Sequence, residues 1–525
     1  MPEYLHPGVY IEEIERGPRP IEGVPTSTAA FLGEAERGSI TPRLVTSYKD
    51  YIRWFGNVFD PSKFLPYAVN GFFENGGKRL YVCRLVGEGA VFAQAPFGDA
   101  FVIRAAGPGA WGNRVFVRVD PSSTTDKDKK PIGFRLRLAY WDEEPPTAFD
   151  PFTDRFTTPR PSHTEEFDDL VANETSPDFY GKRLPFIDLD KGEAKQGTES
   201  SALITLMRQP GAPAGALPEV GAKRIAGGGD DPNAIGVDDY KGAPTPSRKE
   251  SQGLAALELD PYREVALVYA PNVSNDVVSA IVTHCENAHF RFAVVDSDKN
   301  QSDPGVLDPR TTIPTDTSYA AFYYPWIVTS DPRSGARKLV PPGGHVLGIY
   351  ARTDAERGVF KAPANETVRG ALAVQFDIND GIQDVLNPRG VNAIRQFPGR
   401  GIRVWGARTL TSNALWKYVS VRRLFIFLER SIYEGTQWVV FEPNDDRLWA
   451  RVTDTVRLFL RGQWRLGALF GRTEQEAFFI TCDRTTMTQD DILNGRLICE
   501  IGIAPVRPAE FVVFRIFQNT AEAPR

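Results

Sequence analysis

Two strand-like segments, one near each end of the chain, have no local partner to pair with. Val9, Tyr10, Ile11, Glu12 and Ile14 lie in VYIEEI, and Gly17, Pro18, Pro20, Gly23 and Pro25 follow at once. Phe511, Val512, Val513, Phe514 and Ile516 lie in FVVFRIF, behind Pro505 and Pro508. Glycine and proline interrupt the flanks too densely for a hairpin partner, and a lone strand is not stable in water. Each segment must therefore add to a sheet elsewhere, in its own subunit or in a neighbour. FVVFRIF is apolar on both faces, which points to the inside of a shared sheet.

Between the ends, 525 residues leave room for about three or four folded units. With 42% hydrophobic and 24% charged residues the chain is globular rather than disordered or fibrous, and 46 Gly with 41 Pro favour strands and loops over a helical bundle. AAFLGEA reads as a strand, 48–55 and 64–75 as helices, and NGGKRLYVCRL as a buried strand. FVIRAA, RVFVRV and FRLRLAY alternate as strands. The stretch 142–250 is polar and rich in Pro, Gly and Asp, so 101–250 reads as an inserted β-rich domain with long loops, mobile over 190–250. Strand and helix return in VALVYA, a helix over 275–288 and FRFAVVD, a βαβ order that predicts a sheet covered by helices. ANETVRGALAVQFDINDGIQDVL patterns as a helix or helix pair, and GVNAIRQF and GIRVWGA as strands. A helix over 415–433 presents Leu424, Leu428 and Ile432, and another, N-capped by Asn444, runs to about Trp464. EAFFITCD and RLICEIGIAPV are strands.

Catalytic chemistry finds little support. Gly107, Gly109 and Gly112 fit G-x-G-x-x-G, but a strand follows where dinucleotide binding needs a helix, so they read as a turn. GGGDD at 227–231 lacks the Lys-Ser/Thr ending of a phosphate loop and reads as a connector. His284, Cys285 and His289 are spaced for packing rather than for zinc, and Cys83, Cys285, Cys482 and Cys499 have no paired spacing. With five histidines and no nucleophile motif, no catalytic residue, cofactor site or metal site is assigned. No apolar run reaches the roughly 20 residues of a membrane helix, and the N-terminus has no signal-peptide pattern, so cytoplasmic synthesis is expected.

Charge is polarised along the chain. Residues 388–525 hold 20 Lys+Arg against 14 Asp+Glu, while the net charge of the whole is −6. All but one of those cations are arginine, set among helix-patterned residues rather than in a basic tail, which suits an acidic protein surface at least as well as nucleic acid. On the 445–464 helix, Trp449, Val452, Val456 and Leu460 share a core face. Arg447, Arg451, Arg461 and Arg465 fall opposite, as a solvated face or a binding stripe.

Several segments resemble the contractile tail sheath proteins of phage tails, R-type pyocins, type VI secretion and extracellular contractile injection systems. They are HPGVYIEEI, RPIEGVPTSTAAFLG, PGAWGN, GGGDD with DYKG, NPRGVNAIRQFPGRGIRVWGARTL, VSVRRLFIFLERSI, FEPND, GRTEQEAFFITCD and IAPVRPAEFVVFRIFQ. The family's G-G-x-D-G turn stands here as Gly227, Gly228, Gly229, Asp230, Asp231, and residues 120–225 match nothing in it. The resemblance implies an α+β, multidomain chain with strand-exchange arms at 1–25 and 510–525. Between them it implies a middle α/β domain at 26–100 and 251–385, an inserted β-rich outer domain at 101–250, and a C-terminal α/β inner domain at 386–509. It further implies a homo-oligomer of stacked hexameric rings around an inner tube protein, with baseplate and tail-terminator or cap proteins at its ends. No nucleic acid and no membrane insertion of this chain are implied, and Arg447, Arg451, Arg461 and Arg465 would face the tube. The alternatives are a static phage or baseplate structural protein and an enzyme of unrecognised motif.

Overall fold

The computed structural model describes residues 20–144, 149–154, 158–242, 252–313 and 316–515. The chain divides into two compact units, 25–423 and 1–24 with 424–525. The strand expected over 9–14 and Ile516 lie outside the described residues.

The larger unit is built on a nine-stranded sheet. Its centre is parallel, in the spatial order Val391–Phe397, Ala320–Tyr324, Phe292–Asp296, Leu267–Tyr269, Ala29–Gly33 and Leu80–Arg84. Arg43–Val45 closes one edge antiparallel, and Gly401–Val404 with Glu366–Thr367 the other. The segments AAFLG, LYVCR and AAFYY are buried at every position, as the parallel centre of a two-sided sheet requires. One face packs on the helix Asn275–Ala288 through Val277, Val278, Ile281 and Val282. On the other, Phe31 meets Phe72, and Tyr323 bonds Tyr350 at 2.7 Å, from the helices Leu65–Glu74 and Gly343–Arg357. Those two helices approach closely because their contact is glycine: a Cβ on Gly344 would stand 2.4 Å from the carbonyl oxygen of Ala68, and one on Gly348 as close to that of Phe72.

Strands from both sides of the insertion thus share one sheet. Val391–Phe397 and Gly401–Val404 also belong to it, although they fall within the 386–509 range read as the C-terminal domain. Residues 366–386 are not a helix pair either. Short strands at Glu366–Thr367 and Ala373–Val374 precede a helix of only Asp380–Leu386, because Gly370 (φ 80°) breaks the helical path.

The insertion is a pair of sheets around one core. Five strands run in the order Glu193–Lys195, Phe186–Asp188, Ile204–Arg208, Phe101–Ala105 and Gln94–Pro96; four run Gly221–Arg224, Val115–Pro121, Phe134–Tyr140 and His163–Leu170. Alternating residues such as Ile103, Val117, Leu138 and Leu206 meet Trp111, Tyr180 and Phe186 inside. The expectation of mobile loops over 190–250 is corrected for two stretches, since Ile204–Arg208 is a central strand and Val237–Lys241 a helical turn, while 243–250 lie outside the described residues.

GGGDD is a clamp rather than a loose connector. Gly228 and Asn113 exchange two hydrogen bonds, N–H to Oδ1 at 2.8 Å and Nδ2–H to carbonyl at 2.9 Å. Asp230 accepts from the Ala110 amide at 2.9 Å, and Asp231 from that of Gly89 at 2.7 Å. Gly107, Gly109 and Gly112 sit in the turn thus clamped, between strands as expected. Buried Arg84 donates beneath it to the carbonyls of Gly38 and Pro108, both at 3.0 Å. The Asn275–Ala288 helix carries His284 and Cys285 inward, and His289 caps it with φ 59°. Among the described residues no group of three ligating side chains could hold a metal, and no helix is long and apolar enough to cross a membrane.

Candidate assembly interface

The smaller unit carries the arginine-bearing helix, Asp446–Arg465. Asp445, rather than Asn444, caps it, accepting from the amides of Arg447 (3.1 Å) and Leu448 (2.9 Å); Asn444 accepts from the Trp449 indole instead. An acid in the first turn and Arg465 in the last match the helix dipole. Leu448, Trp449, Val452, Thr455, Val456, Phe459 and Leu460 are buried on one face. The four expected arginines lie on the opposite face, but they are not equivalent.

Arg461 is committed within the chain. Its Nε donates to Glu474 at 2.6 Å, and that hydrogen bond holds the Glu474 carboxyl below the usual range. Arg451 lies 3.6 Å from Glu442 and stacks over Trp438 at 4.6 Å. Arg447 and Arg465 are exposed, and neither has a carboxylate within ion-pair distance among the described residues. Leu458, 54% exposed, stands between them on the same stripe.

Beside this helix, Phe478–Thr481 and Glu500–Ile503 form an antiparallel two-stranded sheet. Among the described residues neither strand has a second neighbour in a sheet, and two strands alone are marginal in water. The following residues Phe511, Val512, Val513 and Phe514 are not in a strand here and are 68% to 84% exposed. Four consecutive apolar side chains left in water are a liability unless another surface covers them. Sequence reasoning missed the exposed apolar residues around the hairpin, Leu466, Phe470 and Phe479. The signal was present in RLGALFGR, whose flanking glycines prevent a helix from burying Leu466 and Phe470 together. Phe441, fully exposed with φ 68°, lies in the loop before the arginine helix and was likewise not singled out.

A family model described as phage tail sheath protein central domain matches residues 233–410, and one described as phage tail sheath C-terminal domain matches 411–519. The tail sheath protein of Vibrio phage KVP40 is 23% identical over 211 residues, 39% of this chain and 31% of that protein. That of Burkholderia phage BcepMu is 28% identical over 200 residues, 36% and 41%. The matched stretches therefore span less than half of these relatives. Among solved structures, the fold is similar to a contracted sheath complex of the PVC extracellular contractile injection system, with TM-score 0.57, 22% identity and 99% of both chains covered. The contracted helical sheath of the anti-feeding prophage gives 0.57 and 23%, covering 98% of this chain and 99% of that one.

Proposed function

The chain belongs to the phage tail sheath protein family, and from that premise we propose that it is the repeating subunit of a contractile sheath. In this reading subunits stack as hexameric rings around an inner tube, between a baseplate and a terminator or cap. The segments 9–14 and 511–516 add as strands to sheets of neighbouring subunits, where main-chain hydrogen bonds supply the linkage. Arg447, Arg451 and Arg465 face the tube, and the inserted β domain faces outward. Contraction is a rigid-body rearrangement between two packings of unequal free energy, so it consumes no nucleotide. Assembly takes place in the cytoplasm, and the product is a phage tail or tail-like particle.

The observation that carries this reading is the juxtaposition, in one unit, of a two-stranded sheet whose edges are open among the described residues and an exposed apolar tail. Deleting residues 1–16 tests it: the truncated chain is expected to fold and stay soluble but to form no long cylinders in negative-stain electron microscopy. Cylinders of normal length from the truncation refute strand linkage. Short static rings from the intact chain, with no shortened and widened form, favour a baseplate component.

A further inference from the structure

We propose that Cys482 and Cys499 are a cross-strand disulfide site that closes the base of the loop joining the two strands of the C-terminal hairpin. Nothing in the sequence spacing suggests it; the register does. Phe478 pairs with Ile503, and the ladder continues through Phe479/Gly502 and Ile480/Ile501 to Thr481/Glu500. The next pair on the same register, at the mouth of the connecting loop, is Cys482 with Cys499. In an antiparallel ladder, pairs that exchange both backbone hydrogen bonds alternate with pairs that exchange none. The Ala504 amide donates to the Ala477 carbonyl at 2.9 Å, which makes Ala477/Ala504 a bonded pair. Counting from there toward the connecting loop, Thr481/Glu500 is bonded and Cys482/Cys499 is not.

Non-bonded pairs bring the side chains closest, with Cα atoms about 4.5 Å apart, inside the roughly 4.4 to 6.8 Å that a disulfide spans. Both are free thiols, and each lies close enough to perturb the other. Cys482 is buried and Cys499 half-buried, so an oxidant reaches Cys499 first.

Burial pushes the Cys499 thiol up to about 12, and raises Cys482 as well. Neither is a thiolate at neutral pH, so the pair forms its bond slowly. It is a staple set over time in an oxidising medium rather than a fast sensor. With oxidised glutathione as the oxidant, the Cys499 thiolate attacks one sulfur and expels a glutathione thiolate. The Cys482 thiolate then attacks the Cys499 sulfur of the mixed disulfide and expels the second. Two protein thiols become one disulfide, two electrons pass to glutathione disulfide, and the two protons end on two glutathione thiols. Cys83 and Cys285, fully buried and apart from this pair in the other unit, are internal references.

The test is prolonged incubation of the purified full chain with oxidised glutathione at mildly alkaline pH, then alkylation in denaturant and peptide mass mapping. The expected result is loss of alkylation at both Cys482 and Cys499, a linked 482–499 peptide pair and no retained glutathione, while Cys83 and Cys285 remain alkylatable. Cys482→Ser should instead retain one glutathione on Cys499. A wild-type chain that keeps glutathione on Cys499, cross-links to a second chain, or leaves both thiols alkylatable while Cys482→Ser accepts glutathione overturns the proposal. So does absence of any reaction in both proteins after exposure long enough to modify a free peptide spanning Cys499.

Discussion

Removing the carboxylate of Asp354 should cost the larger unit a large part of its stability. Arg423 and Asp354, with side chains 3% and 6% exposed, form a two-pronged pair at 2.9 and 2.5 Å. Thr26 completes the site: its hydroxyl donates to Asp354 at 2.6 Å, and its carbonyl accepts from Arg423 at 3.0 Å. The guanidinium also lies 4.7 Å from the Tyr350 ring centre. Asp354→Ala leaves a buried cation with one carbonyl and one ring, for which breaking a buried pair costs about 3 to 5 kcal/mol. Against a domain stability on the order of 5 to 15 kcal/mol, that is a large fraction. Replacing both partners, with Asp354→Leu and Arg423→Met, removes the desolvated charge as well and should return stability to within about 1 kcal/mol of wild type or above it. Because the two units need not unfold together, the assay is native-state hydrogen exchange of the helix Gly343–Arg357 combined with urea unfolding. A loss below about 1 kcal/mol for Asp354→Ala would show that water reaches Arg423 and would refute the reasoning.

Acid should destabilise the larger unit through two histidines. Burial lowers His345 to about 4, and burial with the neighbouring Arg291 lowers His284 to about 3, from 6.5. At pH 7 both are neutral folded or unfolded; below 6.5 only the unfolded chain gains the protons, so stability falls as pH drops toward 4, and His345→Gln should flatten Tm against pH in that window. Asn113→Ala removes two hydrogen bonds to Gly228 and should cost about 1 to 3 kcal/mol, with faster exchange at residues 228–233 as the readout. Thermolysin should cut the insertion first at Leu217 or Val220, exposed between two strands, and a first cut within Ile204–Arg208 would contradict the central place of that strand.

The helices at 48–55, 65–74 and 275–288 were legible because apolar residues recur at helical spacing between clear stop signals. Buried strands such as LYVCR and FAVVD were legible as short apolar runs. What escaped reading did so for physical reasons. The helix Gly343–Arg357 opens on two glycines and is buried on nearly every side of its first three turns, so it shows no amphipathic pattern; its glycines serve a close helix crossing that only the tertiary structure reveals. His163–Leu170 is an edge strand rich in acids, and Arg135 of the neighbouring strand pairs with its Glu166 and Asp168. The GGGDD clamp depends on a turn more than 110 residues away in the chain, which local composition cannot encode. At the candidate interface the stripe of arginines could be read from spacing, whereas the division between bound and unbound arginines depended on Glu474 and Trp438.

That division sharpens what the helix can hold. Arg461 is fixed by Glu474, so reversing its charge would set two carboxylates against each other and disturb the subunit as well as any contact. Among the described residues Arg447 and Arg465 have no carboxylate at ion-pair distance, and at 1.5 Å rise per residue they stand about 27 Å apart along the axis, with Leu458 between. A partner fitted to this face therefore needs two acidic patches at that separation and an apolar spot near the middle. Exposed arginine–carboxylate contacts are worth on the order of 0 to 1 kcal/mol each, weak singly and summed only through repetition along a polymer, which suits a contact broken during a rearrangement. Arginine is the residue suited to it, since its planar fork pairs two oxygens at once. Arg447→Glu with Arg465→Glu should leave circular dichroism and thermal unfolding of the subunit unchanged while sheaths form empty or out of register with tubes. Arg447→Lys with Arg465→Lys should retain charge and most of the registration. Normal tube-bound sheaths from the glutamate double variant would exclude this face as the tube contact.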